Sequence, residues 1–231
     1  MSMFKPTTED CPNCGIPNTA DTFFSVNADR RPDLRDDILA GRFQRVKCAA
    51  CGTDFRLEPN LSYLDAERRQ WVMALPINLL PHWDTEEASA AVIFSDGYGT
   101  GAPASAREIG DTLTPRVTFG WAGLREKLVI AQNQLDDVAV EELKMIVLRE
   151  REGNPLEAGV DLRLLNVVGT ELHLGWVKSF TNEASAVFAV QRPLYDEIAG
   201  NPAWAAIGKT LDAGLFVDMQ RLFITPLPVA A

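Results

Sequence analysis

The chain has 231 residues, a formal net charge of −10 and a pI near 4.7. That acidity argues against a broad phosphate-backbone-binding face, which needs clustered Lys and Arg. A hydrophobic content of 46% with 23% charged residues is a globular balance rather than a disordered one. The charge is uneven: residues 1–82 carry 10 Lys/Arg against 11 Asp/Glu, and residues 83–231 carry 12 against 21. Apolar runs such as 75–80 and 88–94 are too short or too interrupted to span a bilayer. The start of the chain reads without a secretory signal, so a reducing cytoplasm is the expected compartment.

In chain order, residues 1–10 are polar and read as a loose lead-in. Cys11-Pro12-Asn13-Cys14-Gly15 follows, then a short strand over 22–26. Residues 32–41 have the grammar of a helix, with Pro32 and Asp33 at its start and Gly41 just past its end. A strand over 43–47 enters a second loop, Cys48-Ala49-Ala50-Cys51-Gly52, and a strand over 54–58 leaves it. Residues 61–65 and 70–74 read as extended, and Pro76 and Pro81 then punctuate the chain. Residues 90–94 read as a strand and 96–104 as a glycine-rich loop. Gly97-Tyr98-Gly99-Thr100-Gly101 lacks the spacing, the Lys-Ser/Thr and the following helix of a phosphate loop, and reads as surface.

A strand over 114–119 precedes an amphipathic helix whose apolar line is Trp121, Leu124, Leu128, Ala131 and Leu135. Asp136 and Asp137 cap a second helix over 138–150, with Glu141 and Glu142 early and Arg149 and Arg151 at its end. The pair reads as a helical hairpin. Residues 161–167 and 171–177 form a strand hairpin, 186–191 a third strand, and 193–199 a short helix, with Pro202 opening another. Residues 215–224 are ambiguous, and the tail 225–231 reads as unstructured. The expected fold class is α+β: a zinc-ribbon-like, metal-stapled part over 1–82 with an inserted helix, joined to an acidic part over 83–231 in which an antiparallel sheet packs with the helical hairpin.

The four cysteines of the chain fall into two matching Cys-x-x-Cys-Gly frames. Each frame makes a tight loop that aims two thiolates at one point, and two such loops complete the tetrahedral shell zinc prefers. The ligands are therefore Cys11, Cys14, Cys48 and Cys51, holding a structural Zn²⁺. Iron uses the same donors and stays open as the alternative. Strand, metal loop, strand, twice over, is the layout of a zinc ribbon.

Together these features resemble the CpXC family of bacterial and archaeal domains. The matching residues are the two cysteine frames, Ser25-Val26-Asn27, Pro32-Asp33-Leu34, Ile38-Leu39-Ala40-Gly41, Tyr63-Leu64-Asp65 and Leu75-Pro76. Leu124-Arg125-Glu126-Lys127, Leu135-Asp136-Asp137 and Glu141-Glu142-Leu143-Lys144 extend the likeness to about residues 10–150. Ala49 stands where the family name leads one to expect proline, which leaves metal binding intact. The resemblance implies a metal site and a prokaryotic origin and supplies no reaction.

No Ser-His-Asp arrangement, nucleophile elbow or Walker motif appears, so no catalytic or cofactor-binding residue is assigned. His82 and His173 read as surface or satisfied histidines, and the carboxylates of 126, 136, 137, 141 and 142 as solvated or capping charge. Four cysteines close a metal shell and leave no open position. The expected role is a non-enzymatic adaptor or assembly subunit with a protein partner, to which Phe23, Phe24, Phe43 and Phe55 contribute where exposed. A nucleic-acid-binding ribbon using Arg30, Arg31, Arg35, Arg42, Arg45 and Lys47 is the first alternative, weakened by the interleaved aspartates and the net charge. An enzyme with an unrecognised site is the second. No membrane association is expected, and the oligomeric state is open.

Overall fold

The computed structural model describes residues 2–150 and 159–227. Strand β1 (Met3–Asp10) and β2 (Pro17–Asn27) form an antiparallel hairpin that closes on the first cysteine loop. The loose lead-in expected over 1–10 is thus a strand. Its side chains are almost all exposed, so no apolar alternation marks it; pairing to β2 holds it, aided by Thr8–Thr19 and Thr7–Thr22 hydroxyl contacts. Helix α1 (Pro32–Leu39) follows as expected, burying Leu34 and Ile38. The second cysteine loop joins the short antiparallel strands β3 (Arg45–Lys47) and β4 (Asp54–Arg56). Strands β5 (Leu61–Asp65), β6 (Gln70–Leu75) and β7 (Thr114–Phe119) complete a five-stranded sheet in the order β1-β2-β5-β6-β7. The pairs β2–β5 and β6–β7 are parallel and the others antiparallel. One sheet therefore spans residue 82, because β7 lies beside β6.

Two expectations between β6 and β7 fail. Residues 90–94, read as a strand, lie inside helix α2 (Trp83–Tyr98). Val92 and Ile93 are exposed there, while Ala90 is buried and Phe94 packs on Trp71. The apolar run is a helix crossing the edge of the core, a case that short runs cannot distinguish from a strand by pattern alone. The glycine-rich segment then leads into a second helix the sequence reading missed, α3 (Ala104–Gly110).

Helices α4 (Gly120–Gln132) and α5 (Asp137–Glu150) form the expected hairpin, and Asp136 caps α5 by accepting from the Ala139 N–H at 2.8 Å. Arg151, placed at its end from the sequence, lies outside the described residues. Strands β8 (Val160–Val168), β9 (Glu171–Lys178) and β10 (Ala184–Gln191) make an antiparallel sheet in the order β10-β9-β8. The short helices α6 (Arg192–Ile198) and α7 (Ala205–Leu211) follow, and a one-turn 3₁₀ segment, Met219–Leu222, resolves the ambiguity over 215–224. Residues 225–227 of the tail dock, since the Leu227 N–H donates to the Pro81 carbonyl at 2.8 Å; the rest of the expected loose tail lies outside the described residues.

Three apolar clusters hold these layers. Val26, Leu34, Ile38, Phe43, Leu61, Tyr63 and Val72 pack with Trp121, Leu124 and Leu128 of α4. Trp71, Met73, Val117 and Phe119 pack with Ala90 and Phe216 on the other face of the sheet. Leu143, Val140 and Val147 of α5 pack on Leu162, Leu164, Leu172, Leu174 and Trp176 of the second sheet. Helix α4 therefore belongs to two cores, and the fold class is α+β as expected. The mixed five-stranded sheet was not foreseen, because its parallel pairings join strands far apart in the sequence.

Leu143 is fully buried between α5 and the C-terminal sheet. Leu143→Ala is expected to cost about 2–5 kcal/mol of unfolding free energy, read from the urea midpoint. A loss below about 1 kcal/mol would show that this face is loosely packed rather than a core.

Candidate metal centre

The two cysteine loops are local copies of one another. In the first, the Gly15 N–H donates to the Cys11 carbonyl at 2.8 Å and the Cys11 N–H to the Ile16 carbonyl at 3.0 Å. In the second, the Gly52 N–H donates to the Cys48 carbonyl at 2.9 Å and the Cys48 N–H to the Thr53 carbonyl at 2.8 Å. Gly15 and Gly52 have φ of 69° and 75°, a left-handed turn that explains glycine at both positions.

The loops face each other and all four sulfurs lie within 4.8 Å of one another. Cys11 Sγ is 3.7 Å from Cys51 Sγ, and Cys14 Sγ is 3.7 Å from Cys48 Sγ. These separations are far too long for disulfides, and the cysteines are free. A tetrahedral ion with metal–sulfur bonds of about 2.3 Å requires sulfur–sulfur edges of about 3.8 Å. The donor set fits. Cys11 and Cys48 are buried and Cys14 and Cys51 exposed, so the cluster sits at the surface with one ligand of each loop anchored inside.

Polar groups around the sulfurs favour their ionised form. The Asn18 amide donates toward Cys48 Sγ at 3.6 Å while its oxygen accepts from the Ala49 N–H at 3.1 Å, so one side chain braces the second loop from β2. The Asn13 amide reaches Cys51 Sγ at 3.7 Å across the two loops. The Thr53 hydroxyl and N–H, together with Asn13, draw the Cys51 thiol down to about 5. Backbone N–H groups of Cys51 and Ala50 lower Cys48. The Ile16 N–H pulls Cys14 down as well, but desolvation and its three cysteine neighbours push it up to about 12. Four thiolates this close cannot all ionise unaided, and a divalent cation at their centre removes the repulsion.

Asp136 is exposed and capping as expected, but the other carboxylates expected on exposed helix faces are in the interior or half-buried. Glu126, Lys127, Glu141 and Lys144 are all at most 4% exposed. Lys144 Nζ lies 3.1 Å from both Glu126 oxygens and 2.7 Å from Glu141 Oε2. Arg163 of β8 joins Glu126 at 2.9 Å, Asp161 at 3.4 Å and Asp218. Glu126 also accepts from the Leu164 N–H at 2.6 Å, beside the bulge in β8, and Glu141 accepts from the Met219 N–H at 2.9 Å. Nearby, Lys127 and Arg116 both bind Asp137, at 2.7 and 2.8 Å. The reason for burial is mutual neutralisation: the charges are paired with opposite ones, mostly from another element, with Glu141–Lys144 inside α5 and Asp161–Arg163 inside β8. Glu126, Glu141 and Asp218 converge closely enough to suggest a second ion site, yet Lys144 and Arg163 already supply positive charge to all three carboxylates, leaving Glu141 Oε1 without a hydrogen-bond partner among the described residues.

The histidines stay peripheral to both clusters. His82 Nδ1 lies 3.0 Å from the Leu227 carbonyl, and half-buried His173 pairs with Glu171 at 3.3 Å. Of the four phenylalanines offered for a partner, Phe43 is buried in the core and Phe23 stacks on it, while Phe24 and Phe55 are half-buried. Sequence reasoning missed Lys144, Arg163 and Asp218 as a unit. No local signal marked them: Arg163 alternates with Leu162 and Leu164, which reads as an outward-facing arginine, yet all three are buried.

With this geometry in place, comparison with known families matches residues 10–144 to the CpXC protein family. The chain belongs to the CpXC family. The matched span runs from the first cysteine loop through Lys144 and so includes all four cysteines, Glu126 and Glu141. No curated protein and no solved structure matches the chain.

Burial raises Glu141 to about 7 against the pull of Lys144, whereas Arg163 and Lys144 overcome burial to hold Asp218 at about 2. The signs are opposite. The Asp218 contribution is present above its unfolded value of about 3.9 and is lost as pH falls through the folded value. The Glu141 contribution is full below its unfolded value of about 4.3 and is lost as pH rises through the folded one. Glu141→Gln is therefore expected to flatten the decline in Tm between about pH 4 and about pH 7. A variant profile parallel to wild type would contradict the burial assigned to this carboxylate.

Proposed function

We propose that this CpXC chain is a structural zinc protein whose metal ribbon stabilises a non-catalytic, cytoplasmic protein-interaction module. The observation that carries the reading is the convergence of Cys11, Cys14, Cys48 and Cys51 at tetrahedral spacing. Four thiolates fill the zinc shell and leave no position for water or substrate, which is the pattern of a structural rather than a catalytic ion. Zinc is preferred to iron because the site needs only a geometric staple. The β1–β2 and β3–β4 hairpins, each ending in a cysteine loop, match a zinc ribbon in layout. On this reading residues 1–82 form the ribbon part and 83–231 the acidic part, joined through the shared sheet.

A protein partner suits the surface. Strand β1 is the free edge of the five-stranded sheet and exposes Met3 and Phe4, and β10 is an edge exposing Val187. The nucleic-acid alternative, resting on Arg30, Arg31, Arg35, Arg42, Arg45 and Lys47, is weakened because four of these six are paired with aspartates. Arg31 pairs with Asp33, Arg35 with Asp36 and Asp65, Arg42 with Asp37, and Arg45 with Asp54. The close pairs of Arg31 and Arg42 spend their charge locally, and that of Arg45 is long and exposed.

Stripping the metal with a strong chelator, or replacing Cys11 by Ser, is expected to release about one equivalent of zinc and lower the Tm by at least about 10 °C. Hydrogen exchange should rise over 10–60 first, while the Leu143 core stays protected. An unchanged Tm on metal loss would show that the staple is dispensable. For the adaptor role, a partner cross-linked in the native host should be lost on Phe4→Glu with zinc retained; turnover of a small substrate by the zinc-loaded chain would contradict it.

A further inference from the structure

A cavity of about 510 Å³ opens between the β3–β4 hairpin, the start of α4 and the C-terminal sheet. Its walls carry Arg45 and Arg56 from the hairpin, Trp121 and Arg125 from α4, and His173 and Asn182 from the sheet side. The arginines are not used as those elsewhere in the chain are. Arg56 spends only Nε, donating to the Phe43 carbonyl at 2.8 Å, and its guanidinium lies over the Trp121 ring at 4.3 Å from the centroid. Arg125 likewise donates only Nε, to the Leu39 carbonyl at 2.7 Å. Among the described residues neither forms an ion pair. Arg45 has a single long pair to exposed Asp54 at 3.4 Å. Burial and the charges of Arg45 and Arg125 lower Arg56 to about 10, although Glu58 opposes this, and burial lowers Arg125. These cations are crowded in a chain that is acidic overall.

Two groups in the same walls are unsatisfied. Asn182 Oδ1 is buried without a hydrogen-bond partner among the described residues, and so is Nε of Arg163, whose terminal nitrogens go to the interior carboxylates. The acidic side chain in the walls is exposed Glu183, which pairs with Lys178 at 3.6 Å. Half-buried guanidinium groups with no carboxylate at ion-pair distance, Glu58 acting on Arg56 only from further off, carry a desolvation cost that an oxyanion relieves, and the planar fork matches phosphate geometry.

We infer that this cavity binds a small phosphate monoester, its phosphoryl group held by Arg56 and Arg125 with Arg45 at the rim, and its polar body donating to Asn182. The cavity is of small-ligand size and larger than a phosphate alone, which leaves room for that body beside Trp121. The site is independent of the adaptor role but not of the ribbon, since β3–β4 carries Arg45 and Arg56 on either side of the second cysteine loop.

The test is calorimetric titration of the full zinc-loaded chain at constant ionic strength with inorganic phosphate, phenyl phosphate and succinate. Saturable one-to-one binding is expected, with phenyl phosphate tighter than inorganic phosphate. Arg125→Met and Arg56→Met should each weaken it by roughly tenfold or more, while the surface control Arg42→Gln leaves it unchanged. Zinc measured on the same samples separates loss of the ribbon from loss of the anion site. Where a variant fails to fold, wild type decides: phosphate should protect Arg56 and Arg125 from phenylglyoxal. Absence of saturation, affinity unchanged in a folded Arg125→Met, succinate binding tighter than phosphate, or labelling unaffected by phosphate would each overturn the assignment.

Discussion

Four sulfur atoms brought to one point constrain more of this molecule than any other contact. Cys11 and Cys51 are 40 residues apart, and Cys14 and Cys48 are 34 apart, yet each pair meets at 3.7 Å. Between the loops lie β2, α1 and β3, so closing them sets where α1 can sit. That helix then delivers Leu34 and Ile38 to the cluster containing Trp121, Leu124 and Leu128. The short β3–β4 hairpin has three residues in each strand and little core of its own. The cysteines fix its tip, and the Arg56 bond to Phe43 and the contact with Trp121 fix its base. Small elements of this kind depend on a staple because they bury too little apolar surface to order themselves.

The second constraint is ionic and internal. Glu126 sits at the junction of α4, α5 and β8, contacting Lys144, Arg163 and the Leu164 N–H together. Buried ion networks seldom add much stability over an apolar core of equal volume, but removing one member leaves an unpaired charge. Their consequence here is specificity of arrangement. The chain from 217 to 219 must lie where Lys127 reaches the Val217 carbonyl, Asp218 meets Arg163 and Glu141 takes the Met219 N–H. The segment that looked ambiguous between helix and strand is thus fixed by polar contacts rather than by its own periodicity.

Much of this was legible in the sequence. The cysteine loops, α1, the α4–α5 hairpin, the β8–β9 hairpin and the existence of β10 follow from spacing, capping and alternation that are local. The convergence of the four cysteines was legible for the same reason, since two identical short frames encode identical loops. What failed was non-local or two-faced. Strand β1 has no buried stripe and exists through its pairing to β2. The 90–94 run carries helix and strand signals alike. Glu126, Lys127, Glu141 and Lys144 look like an exposed charged face because composition cannot show which partners arrive from β8 and from 218. The arginine-lined cavity is invisible for that reason too: Arg56 and Arg125 are 69 positions apart, and only the packing of the hairpin on α4 sets them in one wall.

The central claim is that one ion joins the two cysteine loops. X-ray absorption at the zinc edge on untagged, full-length protein tests it most directly. The account predicts a single shell of four sulfur neighbours at about 2.3 Å. A shell with nitrogen or oxygen donors, or protein that holds no zinc while remaining folded over residues 10–60, would contradict it.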